Sequence, residues 1–511
     1  MSTAATRASA PSEKDLTVHQ RSLADNCFDE GQYEAAIDAL DQNRSRKNKP
    51  HDVHIRQLLY IALYPPPSLE DQIEEEVIKL ELGSPSKLLF RRHKSSLAPS
   101  PKAAAAAQDL LMKFARTNTP ESLVCALPSY PDSPNANPND ATGSEDSHIA
   151  REALRIRNAR CCWEIIREGF IPRGNGDVMA SPRKPKGRRS RKVQDDDDEG
   201  WEGEDTAAPA PVSDHAWSVL GWILTLFENN EAAMERNGQV RYSPLLLRQI
   251  PPSRPDTAPR WDVRMPLDVA FHALEQEREL QRSLGVRLLA SLINLTSTAF
   301  VDFSMVLNAV STRVSSLSLE VLLYLFAALP LTRTVAQFKV MLCRQTLGGN
   351  QAANGPRPKP QARARAQPRR RTRTDPTADV GAEGGAPSVS ASAPPSAPTQ
   401  DGGDAGGFKY PAISTTDLLG LLARPGKADR ASALPTVCLK CELVISFGSV
   451  QQELGENDRD AGWQGVVRDG SLMRAVEDVF DTGRRSTPTD AQSKEFFRTK
   501  RDALLAIVSM W

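Results

Sequence analysis

Apolar residues recur every three to four positions through most of the chain, the spacing of one helix face. Leu23, Cys27 and Phe28 are followed by Tyr33, Ala36, Ile37 and Leu40, with Gly31 between the two runs where a turn belongs. Ile55, Leu58, Leu59 and Ala62 keep the spacing until Pro65-Pro66-Pro67 stops it. Ser68 is a suitable N-cap, with Glu70 and Asp71 in the first turn, for a helix reaching Gly83. The alanines at 103–107 and the apolar Leu110, Leu111 and Phe114 predict a helix over 102–116. One helix is expected over 148–170, and another, strongly apolar, starts near Trp217 behind Ser213 or Asp214 as cap. The densest pattern follows, with runs at 267–280, 285–295, 300–310, 317–329 and 332–347, and Leu288, Leu292, Leu322 and Phe326 as core candidates. Four further runs occupy 413–422, 434–454, 472–480 and 496–511. Period-two alternation is scarce, so no strand is required. The expected fold is all-α: an irregular or repeat-like array of helices, either a solenoid or a bundle.

Between the helical regions the pattern fails. Residues 1–13, 128–147, 172–212 and 348–410 are rich in Gly, Pro, Ser, Asn or charge and poor in aromatics. Such stretches cannot bury enough apolar surface to offset their ordering entropy and are expected to be disordered. The resulting map has an N-terminal helical region at 14–127, a helix at 148–171, a central core at 213–347 and a C-terminal helical region at 411–511. Leu418, Leu421, Leu443, Val444 and Phe447 are too many apolar residues for the last region to bury alone. It is therefore expected to dock on the core.

Composition agrees with packed segments diluted by unpacked ones. Hydrophobic residues make up 40% of 511 and there are 38 prolines. Lys+Arg and Asp+Glu both number 64, so bulk charge selects neither nucleic acid nor a membrane. Seven cysteines, at 27, 125, 161, 162, 343, 438 and 441, are an odd and scattered set with no apolar leader ahead of them. A reducing compartment follows as the expectation. No apolar run approaches the ~18–20 residues of a bilayer span.

The string LADNCFDEGQYEAAIDAL at 23–40 resembles a tetratricopeptide helix pair, with Ala24, Phe28, Gly31, Tyr33 and Ala36 where small and large residues interlock. The resemblance implies a hairpin over 20–46 that could stack with its neighbours. Gln20 stands where the family has an aromatic, and no 34-residue period continues, so an ordinary αα-hairpin stays open as the alternative. The chemistry-bearing motifs fail on inspection. Cys438-Leu-Lys-Cys441 lacks a second ligand pair for zinc, and Cys161-Cys162 reads as core. The stretch from Gly420 to Lys427 has one residue too many between its glycines for a phosphate loop, and Ala428 replaces the required hydroxyl. His51 and His54 share a face without further ligands. No catalytic, cofactor or metal site is expected, and no enzyme.

Charge is concentrated instead. RKPKGRRSRK at 183–192 carries Arg183, Lys184, Lys186, Arg188, Arg189, Arg191 and Lys192. An acidic string, DDDDEGWEGED at 195–205, follows at once. A second basic run at 357–373 contains Arg369, Arg370 and Arg371 and no acid. Basic strings of this kind fit the acidic groove of an importin or a phosphate backbone, although neighbouring opposite blocks can also simply neutralise each other. The expected function is a non-enzymatic scaffold or adaptor, a protein–protein interaction subunit of a nuclear assembly, with a cytoplasmic location as the alternative. The competing reading is a chromatin- or nucleic-acid-associated factor that binds through the basic runs.

Overall fold

The computed structural model describes residues 13–67, 97–130, 147–172, 208–252, 262–348, 413–424, 433–456, 458–486 and 491–511. Among them the chain is all-α, with nineteen helices and two strands of two residues each. The helix expected over 68–83 and both basic runs lie outside the described residues.

The N-terminal helices are α1 (Val18–Asp29), α2 (Tyr33–Gln42), α3 (Asp52–Ala62), α4 (Pro101–Thr117) and α5 (Pro120–Val124). Thr17 caps α1 in a box with Gln20: the Thr17 hydroxyl accepts from the Gln20 amide at 3.3 Å, and the Gln20 side chain takes the Thr17 N–H at 3.1 Å. Gly31 turns the chain at φ 72°, a conformation that favours glycine, so α1 and α2 close as a hairpin. Ala24, Phe28, Tyr33 and Ala36 are all buried there. The strands, unexpected from the pattern, are Lys14–Asp15 (β1) and Asn48–Lys49 (β2), paired in parallel. They are too short to register as periodicity. Asn118 fixes them by donating to the carbonyls of Ser45 and Asn48, and Glu13 accepts from the Thr119 N–H at 2.8 Å.

The single helix expected over 148–170 is broken. Helix α6 (His148–Asn158) ends before an extended turn at Cys161, and α7 (Cys162–Ile165) follows. The break has a distant cause: the Cys162 N–H donates to the Gln249 side chain at 2.7 Å, and the Arg160 N–H to Glu164 at 2.8 Å. Those donors are diverted from the helix ladder.

The central region contains α8 (Trp217–Arg236), α9 (Pro244–Leu247), α10 (Arg264–Leu274), α11 (Glu279–Leu295), α12 (Phe303–Val314), α13 (Leu319–Ala328) and α14 (Arg333–Gly348). Ala216 stands at the N-cap of α8, a little later than the expected Ser213 or Asp214. Helices α10 and α11 approach backbone to backbone at Gly285, where a Cβ would lie 2.6 Å from the Ala270 carbonyl. Leu288, Leu292, Leu322 and Phe326 are buried.

The C-terminal helices are α15 (Thr415–Ala423), α16 (Ala433–Glu453), α17 (Ala461–Arg468), α18 (Ser471–Ser486) and α19 (Ala491–Ser509). The broadest helix–helix contact among the described residues is α16 on α14. Leu418, Leu421, Leu443, Val444 and Phe447 are buried, and α18 and α19 close over α16. Trp511 packs against Trp463, and Trp463 meets Phe447 edge to face. Gly448 leaves room for the Trp511 ring, which a Cβ there would overlap. Packing thus proceeds largely in chain order: α2 and α3 on α4, α4 on α8, α8 on α11, α11 on α14, α14 on α16. Among the described residues no helix is long and apolar enough to cross a membrane.

Candidate functional site

The residues that sequence reasoning selected, Arg183, Lys184, Lys186, Arg188, Arg189, Arg191, Lys192, Arg369, Arg370 and Arg371, all lie outside the described residues. The chemistry that the structure does assemble is interior. It centres on the α14–α16 contact.

Lys339, on α14, is 1% exposed. Its Nζ donates to the carbonyls of Phe326 and Leu329 at 2.6 and 3.4 Å, lies over the Phe326 ring, and approaches Glu442 Oε2 at 3.9 Å. The lysine therefore closes the C-terminal end of α13, where the last carbonyls have no helical partner. Lys440, on α16, does the same for α15, donating to the carbonyls of Leu422 and Arg424, both at 2.7 Å. Burial pulls both ammonium groups toward neutrality; for Lys339, Glu442 and Cys343 oppose that pull. Burial likewise pushes the Glu442 carboxyl up, against the countering charges of Lys339 and Lys500.

Three thiols border this contact. Cys343, Cys438 and Cys441 are buried and unpaired. Burial pushes the Cys438 thiol up to about 11 and raises Cys343 and Cys441 as well, the direction of inert core thiols. Cys162 and Cys161 are raised by burial too, and Cys161 lies against Tyr130. No cluster of three or more metal-ligating side chains occurs among the described residues.

Two other polar networks tie helices together. Glu231 of α8, fully buried, accepts from Asn294 of α11 at 3.0 Å and faces Arg241 at 3.6 Å; burial raises its carboxyl above the ordinary range. His54 of α3, also buried, meets Asp25 of α1 at 2.7 Å.

The lysine caps carry a sequence signal that the periodicity reading missed. From its capping serine, the α13–α14 hairpin runs Ser318, Leu322, Leu323, Leu325, Phe326, Ala327, Pro330, Phe338, Lys339 and Leu342. The α15–α16 hairpin carries similar residues at different spacing, Ser414, Leu418, Leu419, Leu421, Leu422, Ala423, Pro425, Leu439, Lys440 and Leu443, with its lysine 26 rather than 21 positions after the capping serine. Both serines cap their helices, accepting from Val321 and Asp417. The contacts are reciprocal as well: α14 meets α16, α13 meets α16 and α14 meets α15. The intervening stretch of more than sixty residues hides the likeness from any short-period search. Compared with known proteins, the chain matches no family model, no curated protein and no solved structure.

Proposed function

We propose that this chain is a non-enzymatic helical scaffold or adaptor, a protein–protein interaction subunit of a nuclear assembly. The observation that carries the reading is the serial packing of α4 on α8, α8 on α11, α11 on α14 and α14 on α16 along the chain. Such arrays expose long lateral surfaces relative to their cores and suit extended contact with other proteins. The inference from architecture to function is one of analogy. Nuclear import rests on the basic runs at 183–192 and 357–373, which fit the acidic groove of an importin.

Affinity purification of the endogenous chain tests the adaptor reading. A fixed set of subunits co-purifying in stoichiometric amount is expected, and a chain that purifies alone refutes it. A fluorescent fusion tests location. It should concentrate in the nucleus and lose that preference when Arg188, Arg189 and Arg191 are changed to Ala; a wild-type fusion that stays cytoplasmic removes the nuclear part.

A further inference from the structure

Helix α13 is apolar all round, yet it is not buried all round. Glu320 is the one charged residue in its sequence, LEVLLYLFAA. A helix of that composition belongs inside a protein. Val321, Leu322, Leu325 and Phe326 do face the core. The opposite side is open: Leu323 and Tyr324 are half-buried, and Ala327 and Ala328 are exposed. Leu331, just past the helix end, is 54% exposed. The hairpin itself does not require an apolar outer side. Counted from the capping serines, Tyr324 and Ala328 correspond to Gly420 and Arg424 of α15.

The open face has two unlike ends. At its N-terminal end the first turn of α11 lies alongside: Arg282 pairs with Glu320 at 2.6 Å, and the Tyr324 hydroxyl is 3.5 Å from the Glu279 carbonyl. That turn brings exposed Glu279 to the face and, beside it, Leu280, which is 81% exposed. At the C-terminal end, exposed Arg333 follows Leu331 by two residues. Neither Glu279 nor Arg333 forms an ion pair among the described residues. Acid and leucine stand at one end, leucine and base at the other.

Such a face complements itself when two copies meet antiparallel about a two-fold axis. With the axis between Leu325 and Phe326, the large Leu323 and Tyr324 of one copy oppose the small Ala328 and Ala327 of the other. Large side chains then fill the space that small ones leave. The same axis carries Leu331 to the Glu320 end of the second copy, and Arg333 with it toward Glu279.

We propose that α13 is the contact face of a symmetric dimer of this chain, with Tyr324 packed on Ala327 of the second copy and Arg333 facing its Glu279. The helix has ten residues, about three turns, so the contact is smaller than the standard ~1,600 Å² interface. The dimer is therefore a weak one that forms at micromolar concentration. It stands apart from the scaffold reading, which a monomeric chain would leave intact.

Sedimentation velocity of the full chain from about 1 to about 200 μM, the range of a weak contact, tests the proposal. The weight-average mass should rise from the monomer's 56.0 kDa toward twice that value and stop there. Ala327→Glu puts carboxylates into the contact and should raise the midpoint concentration at least about tenfold. Its melting temperature should match the wild type's, because position 327 is exposed in the single chain. Leu331→Glu, outside the helix, should act in the same way and replaces Ala327→Glu if that variant folds poorly. Arg333→Glu should weaken association, and adding Glu279→Arg should restore it to within about threefold, since the two ends meet across the axis. A chain that stays monomeric throughout overturns the proposal. If Ala327→Glu then also lowers the melting temperature, this chain covers its own face; if it does not, the face belongs to a different protein. Association unchanged in both glutamate variants, association that continues past the dimer, or a charge exchange that weakens it further would each overturn the two-fold contact.

Discussion

Lys339 and Lys440 occupy matching places on α14 and α16, and each reaches back to close the helix that precedes its own. An ammonium group can donate three times, so one side chain satisfies two terminal carbonyls that would otherwise be stranded away from water. The same task recurs along the array with other donors. Gln108 of α4 donates to the Ala62 carbonyl at the end of α3, and Arg282 of α11 to the Gln276 carbonyl just beyond α10. Polar residues inside these apolar helices are thus structural stitches between helices, and both lysines are buried.

Lys339→Met should therefore destabilise the protein by about 3 kcal/mol, because it strands two carbonyls and leaves buried Glu442 with only Lys500 to counter its charge. Adding Glu442→Gln to that variant should recover part of the loss, since the poorly compensated carboxylate goes with it. Urea titration of the wild type, the single variant and the double variant measures both steps. A Lys339→Met protein as stable as the wild type would show that the ammonium merely occupies space.

Two glycines make a sharper comparison. A Cβ at Gly285 would meet the Ala270 carbonyl at 2.6 Å and the Leu274 backbone at 3.0 Å, contacts that only a shift of α10 can relieve. Gly285→Ala should cost on the order of 2 kcal/mol or more. Gly420, inside α15, has nothing within 4 Å of the same position. Gly420→Ala should be neutral or stabilising by up to about 1 kcal/mol, the ordinary helix-propensity gain. Thermal melts of the two variants moving in the same direction would refute the close α10–α11 approach.

The helical periodicity made most of the described fold legible. Leu288, Leu292, Leu322 and Phe326 are buried as their spacing predicts, and the five central runs correspond to α10 to α14, although the break between the first two falls about six residues earlier than expected, at 275–278. What escaped depends on partners remote in sequence. The break after α6 is made by Gln249, which no local window contains. A lone lysine in an apolar helix reads as a solvated position until the helix end it serves is seen, so Lys339 and Lys440 were invisible as caps. Gln20 completes the capping box with Thr17, a role that its position in the expected helix pair did not suggest.

Asp460 gives a pH prediction. Burial raises its carboxyl, but the N–H groups of Gly462 and Thr415, at 2.8 and 2.5 Å, outweigh that and hold it below its ordinary 3.8. One carboxylate thereby caps both α17 and α15, one oxygen for each. For a group whose pKa is lowered on folding, the stabilisation is present above the unfolded value and is lost as pH falls through the folded value. Asp460→Asn keeps a single acceptor oxygen and can serve only one of the two helices. The variant should be less stable than the wild type at neutral pH, and the gap should close as pH falls below about 3.8. A gap that is the same at both ends of a pH series of denaturant titrations would deny the double cap.

The last prediction concerns the α14–α16 contact itself. Leu443, Val444 and Phe447 are buried, together with Val335, Phe338 and Leu342 of α14. At about 25 cal/mol per Å² of apolar surface, a contact lined by so many large side chains outweighs the entropy of joining two fragments at micromolar concentration. A specific protease site placed near residue 380 should therefore yield two fragments that elute from size exclusion as one particle in the absence of denaturant. Leu443→Asp puts a carboxylate into that contact at a position that is fully buried in the wild type. The cut variant should then elute as two species, while the cut wild type stays together. Separation of the cut wild type would show that the C-terminal helices are an independent module and that the contact adds little to stability. Co-elution of the cut Leu443→Asp protein would place the adhesion elsewhere than in the α14–α16 core.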